Sequence, residues 1–372
     1  MATRTKMKIP TKIKEEKAKE ERAALQKKKI KEAYENKTWY TIRAILGHSY
    51  ANHIFLIGAR QRGKTFAVQQ YVLSCFFNPK HPLYHVPFYW MRLNDIAIKA
   101  MLQNSGAKLF EPLLVKQFHL ENIKVKGDSV FLADGKTLLC RCYGLSTAYN
   151  NKGAAMFNSD VFKGVHIIVD EIALERGQRR TMDPAYNLSL NIENICRNQR
   201  KNVKIFYMLN QTEDAPEILT AIAHFIPVEY GVYKLKRRHC VIDYIPNTKG
   251  YEKMRKDALA TDIDSGGSNF TNKVVRDISL LYKGRLDKPV MVIKFSKYQS
   301  DWYTIWNSPA GNVICPYNGE QKQSVAMKRY IDETFLPELR DSIIEQEDVR
   351  AFKYKDIYTQ TTWRKNLELI KK

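Results

Sequence analysis

The stretch His53-Ile54-Phe55-Leu56-Ile57-Gly58-Ala59-Arg60-Gln61-Arg62-Gly63-Lys64-Thr65 decides how the rest of the chain is read. A short apolar run enters a loop bounded by two glycines, and Phe66-Ala67-Val68-Gln69-Gln70-Tyr71-Val72-Leu73 leaves it with the composition of a helix. Residues 58–65 fit G-x-x-x-x-G-K-[ST]. In that pattern glycine lets the backbone turn its N–H groups toward phosphate oxygens, and the following helix adds its positive end. On this reading Gly58, Ala59, Arg60, Gln61, Arg62, Gly63, Lys64 and Thr65 bind a nucleotide. Lys64 reaches the β- and γ-phosphates, and the Thr65 hydroxyl ligates Mg²⁺. A Gly-bounded turn matches the pattern in isolation, but the strand before it and the helix after it favour the phosphate loop.

A second segment narrows the class. Val165-His166-Ile167-Ile168-Val169-Asp170-Glu171 reads as a buried strand that ends in two adjacent acids. Asp170 would hold Mg²⁺ through its water shell and Glu171 would polarise an attacking water. In isolation the same string is a strand ending in a charged turn. Asp170 lies 105 residues beyond Thr65, which leaves room for an additional strand between the two motifs, as in ATPases that carry a catalytic Glu. A GTPase should carry N-K-x-D, and Asn272-Lys273-Val274-Val275 lacks the Asp. A small-molecule kinase needs neither the Asp-Glu pair nor a strongly basic chain.

Working outward, Pro87–Arg92, Lys136–Cys142 and Val203–Leu209 join His53–Ile57 and Val165–Asp170 as expected strands. Thr65–Phe76, Asp95–Leu102 and Leu188–Cys196 are expected helices. Near-continuous apolar strands predict a parallel sheet covered on both faces, hence an α/β, RecA-like P-loop NTPase domain over 39–235. Residues 1–38 carry +7, with no Gly and few large apolar side chains, and read as a basic helical or disordered arm, with a helix favoured from about Ile13 to Asn36. That arm is either a solvated extension or a contact for nucleic acid or a partner. Residues 236–287 read as a linker or lid containing Asp264-Ser265-Gly266-Gly267-Ser268. Residues 288–372, at +3, read as a small C-terminal α+β domain. Its Trp302, Tyr303 and Trp306 are either a stacking platform or, by their alternation, a packed strand.

The whole chain of 372 residues carries 61 Lys and Arg against 39 Asp and Glu, a net charge of +22, so a polyanion is its natural partner. Nucleic acid and an acidic membrane surface both satisfy that arithmetic. No apolar run approaches the ~20 residues of a membrane helix, and no integral membrane role is expected. The six cysteines are too scattered for a disulfide framework and suggest a reducing, cytosolic setting. Cys140-x-Cys142 lacks zinc-ligand spacing and reads as ordinary thiols.

Cys196-Arg197-Asn198-Gln199-Arg200-Lys201 ends a helix just before Val203–Leu209, which finishes at Asn210. Arg197 or Arg200 can stabilise transition-state charge at a neighbouring subunit's nucleotide, or simply serve as a helix C-terminal cation. Asn210 can sense the γ-phosphate or be an ordinary polar strand end. Taken together, GARQRGKT, LSTAYNNK, IIVDE, CRNQR and the MLN strand end resemble, in order, the motifs of DNA-packaging ATPases of phi29-like tailed phages, which are additional-strand, FtsK/HerA-like enzymes. Those chains read G-A-R-G-x-G-K-S, a Lys-bearing segment, V-F-D-E, F-R-N-R and S-N. The likeness spans most of 45–372 loosely, including a basic C-terminal helix over Phe352–Lys372, and the N-terminal arm stands outside it.

The resemblance implies a homomeric ring of five subunits that hydrolyses ATP with Mg²⁺. Such a ring pumps double-stranded DNA through the portal protein into a procapsid, in the host cytoplasm and transiently at the portal vertex, with a structural packaging RNA as a further partner. It implies an RNase H-like C-terminal domain that has lost its nuclease acids. Arg197 matches the trans-acting finger, although the segment from Arg197 to Asn210 differs by one residue and keeps Arg200 open. Lys152 matches the lysine that reaches a neighbour's nucleotide, with an ordinary loop lysine as the alternative. DNA contact is expected of Arg176, Arg179 and Arg180, and Lys234, Lys236, Arg237 and Arg238 form a second basic cluster. A plasmid-transfer or chromosomal DNA translocase shares all these catalytic residues. A non-catalytic nucleic-acid-binding ring component would not need Glu171.

Overall fold

The computed structural model describes residues 37–146, 162–171, 183–210, 216–256, 278–295, 302–317, 327–330 and 337–370. The first sheet has nine strands: β1 (His53–Ile57), β2 (Phe88–Arg92), β3 (Lys124–Lys126), β4 (Ser129–Phe131), β5 (Leu138–Gly144), β6 (Val165–Asp170), β7 (Val203–Leu209), β8 (Gly231–Leu235) and β9 (Cys240–Tyr244). They lie in the order β3-β4-β5-β2-β6-β7-β1-β9-β8. The run from β5 to β9 is parallel, and antiparallel strands close both edges. This is a large, mostly parallel α/β sheet of the P-loop-like kind. The additional strand does separate the two motif strands in space, because β7 pairs with β1 on one side and β6 on the other. It is supplied by the chain after β6, not by the 105 residues between the motifs, whose strands β2 to β5 all fall beyond β6.

Helices cover both faces, which explains why the central strands are apolar throughout. Alternation along β1 sends Ile54 and Leu56 to one core and Phe55 and Ile57 to the other. The first core is closed by α1 (Arg43–Leu46), α2 (Lys64–Phe77), α3 (Asp95–Gly106) and α4 (Pro112–Phe118), through Ile45, Val68, Val72, Phe76, Ile98 and Leu114. The second is closed by α5 (Pro184–Cys196) and α6 (Glu217–Ala223), through Leu188, Ile195, Ile218 and Leu219. Every residue of β6 is buried. Regular helix in α3 stops at Leu102 as expected, since Asn104 and Ser105 take left-handed φ of 52° and 55°. The strand expected over Lys136–Cys142 begins later, at Leu138, because Asp134 accepts the Lys136 and Thr137 amides at 2.8 and 2.9 Å and holds them in a turn. All six cysteines are free and buried, with Cys140 and Cys142 inside the first core.

The stretch 236–287 is not spent as a linker over its described part. Cys240–Tyr244 is β9, the direct neighbour of β1, and α7 (Lys249–Lys256) follows it. At its other end Leu280 and Leu281 join the core of the C-terminal part, and the Tyr354 amide bonds to the Leu280 carbonyl at 2.8 Å. The sequence concealed β9 because its five residues stand between polar flanks with no helix after β8 to announce it. The arm over 1–38 falls outside the described residues except for Lys37 and Thr38.

The second sheet holds β10 (Pro289–Lys294), β11 (Tyr303–Ser308), β12 (Gly311–Pro316), β13 (Met327–Tyr330) and β14 (Lys353–Tyr354), ordered β13-β10-β11-β12-β14. Among the described residues two helices complete this part, α8 (Pro337–Asp348) and α9 (Ile357–Ile370). Tyr303 and Trp306 are buried, so the aromatic cluster packs as a strand. Phe352–Lys355 is not helical, since β14 pairs with β12, and α9 turns Trp363 and Leu367 into the core. Two of its cations are engaged, Arg364 with Glu347 at 2.7 Å and Lys365 with Glu217 at 3.5 Å. The basic helix read from the sequence is thus partly a packing element.

One buried and one half-buried histidine make this fold acid-sensitive. His166 sits between the rings of Tyr71 and Phe206, and burial holds its pKa down to about 3. His53 faces the Tyr207 hydroxyl at 2.9 Å and is held down to about 4, by burial first and then by Arg200 and His239. A histidine kept neutral in the folded state lets the unfolded chain bind the extra proton below pH ~6.5. Stability therefore falls with pH from about 6.5 down to the folded values, by up to about 1.4 kcal/mol per pH unit per histidine. Urea melts across pH 4–7 should show that slope, and His166→Phe should flatten it.

Candidate functional site

Strand register brings the two motifs to one end of the sheet. The Gly58 amide bonds to the Leu209 carbonyl at 3.2 Å, and Asp170 lies opposite Met208, so Gly58, Asn210 and Asp170 meet across β1, β7 and β6. Asn210 and Asp170 line a cavity of about 1260 Å³, together with residues 60–65, Glu171 and Trp39. The loop needs both its glycines. A Cβ on Gly58 would meet the Ile245 Cβ at 3.0 Å, and Gly63 enters the helix at a φ of +83°.

Lys64 is buried at the first turn of α2. Its ammonium donates to the Gly58 and Ala59 carbonyls at 2.8 Å each and to Asn210 Oδ1 at 3.1 Å. Asn210 is thus brought to the loop lysine, as a sensor position requires. Burial lowers the Lys64 pKa to about 7, with Asp170 opposing the shift and Arg60 and Arg62 adding to it. Asp170 is pushed up to about 6, chiefly by burial.

Sequence reasoning missed the residue that holds the two acids. Arg92 ends β2, and since Met91 lies opposite Val169, the next residues of the two strands come level. Its guanidinium reaches Asp170 at 3.6 Å and Glu171 at 3.2 Å. Glu171 itself sits at a φ of +51° with its amide bonded to Asp170 Oδ1 at 3.1 Å. A charged residue ending the apolar run FYWMR was the available signal.

The loop tip is clamped from two distant segments. Arg62 is only 1% exposed; it donates to the Lys37 and Thr38 carbonyls and lies 5.5 Å from the Tyr251 ring centroid. The Tyr251 hydroxyl donates to the Arg60 carbonyl at 2.9 Å, and Arg255 donates to Gln61 Oε1 at 2.6 Å. Tyr40 links these segments, bonding by its amide to the Arg62 carbonyl at 2.9 Å and by its hydroxyl to Asp243 at 2.7 Å. Tyr251 and Arg255 lie in the stretch read as a linker, with nothing in their spacing to mark them.

The Thr65 hydroxyl and the Asp170 carboxylate line the same cavity and offer hard oxygen donors, which suit Mg²⁺. Arg197 lies elsewhere: it closes α5 at the end of the sheet where β7 begins, a strand length of about 20 Å from the loop. It does not reach the Lys64 site of its own chain. Arg200 and Lys236–Arg238 lie at that same far end. Lys152, Arg176, Arg179 and Arg180 lie outside the described residues. In the C-terminal part, the Lys294 ammonium rests over the Trp302 ring at 5.3 Å.

Fold and site together define an α/β chain of the P-loop-like kind. It is similar in structure to the Phi-28 gp11 DNA packaging motor, with a TM-score of 0.56 and 16% identity over 90% of this chain and 98% of that chain. A second similar structure is the bacteriophage Phi-29 viral genome packaging motor assembly, with a TM-score of 0.54 and 15% identity over 88% of this chain and 98% of that chain. A third is the N-terminal domain of the DNA packaging ATPase from bacteriophage phi29, at 0.45 and 19% over 58% of this chain and 100% of that chain. No protein-family model matches the sequence, and no curated protein does.

The clamp yields a stability test. Arg62→Ala strips the donors from two carbonyls and the cation from Tyr251, and should cost about 2 kcal/mol in a urea melt. Lys80→Ala, at an exposed position, should cost less than about 0.5 kcal/mol.

Proposed function

We propose that the chain is an ATP-driven motor that moves double-stranded viral DNA into a procapsid as a homomeric ring, five subunits by resemblance. The observation that carries this reading is the meeting of Lys64, Thr65, Asp170 and Glu171 around one cavity at the ends of β1 and β6, with β7 between them. The overall likeness to two packaging-motor structures with TM-scores above 0.5 supports the choice of motor.

The residues divide the work by position. Phosphate oxygens offer Lys64 a charged partner in place of the Gly58 and Ala59 carbonyls it now holds. Thr65 and Asp170 are the residues to hold Mg²⁺, which when bound neutralises charge developing on the phosphates. Glu171 takes the proton of the attacking water. To do so it turns from Arg92, whose guanidinium now lies 3.2 Å from its Oε2, toward the water. Arg197, too far from its own chain's loop, acts on a neighbour's nucleotide, and Lys152 joins it there. Arg176, Arg179 and Arg180 grip DNA phosphates. The C-terminal part serves as a nuclease-like docking domain without cutting, facing the portal protein and a structural packaging RNA. The setting is the host cytoplasm and the portal vertex.

Procapsid-dependent protection of DNA from nuclease is the decisive assay. DNA-stimulated hydrolysis without protection would make the chain a translocase of plasmid-transfer or chromosomal type, and no hydrolysis would make it a non-catalytic component. In the nucleotide site, Lys64→Ala should weaken ATP binding at least tenfold, whereas Glu171→Gln should bind ATP nearly normally and abolish turnover. Normal hydrolysis by Glu171→Gln would remove it from the mechanism.

The trans role of Arg197 has its own measurement. Arg197→Ala should bind nucleotide normally and lose roughly 10³-fold or more in rate. Mixed with Glu171→Gln subunits it should regain activity, at junctions that pair an intact Glu171 with a neighbour's intact Arg197. Co-assembled rings with no recovery would leave Arg197 as a helix-terminal cation.

A further inference from the structure

The end of the first sheet away from the nucleotide cavity carries a rim of exposed cations that four separate loops build. Lys163 precedes β6, Arg200 and Lys201 precede β7, and Lys236, Arg237 and Arg238 form a 3₁₀ turn before β9. All six are exposed. The fourth loop, before β1, ties the others together. The Asn52 side-chain amide donates to the Arg200 and Val203 carbonyls at 3.0 and 2.8 Å, and the Asn52 and His53 backbone amides donate to the His239 carbonyl at 2.9 and 3.0 Å. Asn202 donates to the Lys163 carbonyl at 3.0 Å, and the His239 amide donates to the Lys236 carbonyl at 3.1 Å. Cations that are scattered in sequence are thereby fixed on one scaffold, at the ends of four adjacent strands that span about 15 Å.

The charge of this rim is not balanced by its own loops. Residues 48–53, 162–164, 197–202 and 236–239 contain no Asp or Glu, and none of the ion pairs among the described residues involves the six cations. The half-buried His53 beneath them feels Arg200 and His239 as positive neighbours. Holding like charges together without acids is unfavourable for the free protein, and a polyanion relieves it.

We propose that this rim is a binding surface for the phosphodiester backbone of a nucleic-acid duplex, at the opposite end of the sheet from the nucleotide cavity. A 15 Å rim matches about three consecutive phosphates of one strand, so it takes the backbone without reading bases. DNA and RNA duplexes present the same charge, and the assay separates them.

The test uses the full-length protein with Lys236→Glu, Arg237→Glu and Arg238→Glu combined, and a control replacing the exposed Lys99, Lys108 and Lys116 in the same way. Binding to a 30-base-pair DNA duplex and a 30-base-pair RNA duplex is followed by fluorescence anisotropy across a salt series. The rim variant should bind at least tenfold more weakly than the control variant at ~0.1 M salt. Its log–log salt slope should be shallower than the control's by about two to three, at ~0.9 per lost phosphate contact. ATP hydrolysis without nucleic acid should be unchanged. Loss confined to DNA or to RNA supports the surface and names its occupant, and loss of both supports a backbone site shared by the two. Equal binding by rim and control variants overturns the proposal. So does a rim variant that keeps its affinity but changes its sedimentation, which would make the rim a contact between copies.

Discussion

One end of the sheet has to hold more positive charge than a protein interior accepts, and much of the surrounding structure answers that constraint. Lys64 and Arg62 are both buried there, Arg60 lies beside them and Arg92 reaches in from β2. A buried cation without partners is expensive, so each is given oxygens. Lys64 has two loop carbonyls and Asn210, Arg62 has the Lys37 and Thr38 carbonyls, and Arg92 has Asp170 and Glu171. The depressed Lys64 pKa and the raised Asp170 pKa are two sides of this arrangement, with burial leading in each. A site prepared in this way favours an anion with several charges over a neutral ligand.

The same constraint explains why the phosphate loop depends on segments far from it. Loops between a strand and a helix are ordinarily held by their own turns. Here the tip is also held by Tyr40 from before β1 and by Tyr251 and Arg255 from α7. Tyr40 and Asp243 are 203 residues apart, and their bond closes the clamp around β9. Movement of α7 would therefore be felt at Gln61 and Arg60. Through α6, the first sheet also meets the C-terminal part, where Tyr358 stacks on His224 and Lys365 pairs with Glu217.

Much of this was legible in the chain itself. The loop from Gly58 to Thr65 and the strand from Val165 to Asp170 announced themselves because their chemistry is local: adjacent residues supply the glycines, the lysine and the acids. Strands β1, β6 and β7 carried their ranges in plain apolar runs, since burial on both faces leaves no alternation to confuse. Arg92, Tyr251 and Arg255 were silent. Each is one polar residue in an ordinary segment, and what makes it matter is a partner 78 to 194 residues away, Arg92 with Asp170 being the nearest pair and Arg255 with Gln61 the farthest. Cys240–Tyr244 was equally quiet, because a strand of five residues with charged flanks looks like loop until β1 is beside it.

The sequence by itself determined an α/β chain with a phosphate loop, an acid-tipped strand and a net charge that calls for a polyanion, because those properties depend on composition and on neighbours along the chain. Tertiary structure alone decided which charges meet. It set Arg92 against Asp170 and Glu171, carried Arg197 to the far end of the sheet from its own Lys64, and gathered cations from three loops onto one rim. Parallel strands are the reason: each crossover returns the chain to the same end of the sheet, so residues separated by whole helices become neighbours at one edge, while residues one strand length apart end on opposite sides of the domain.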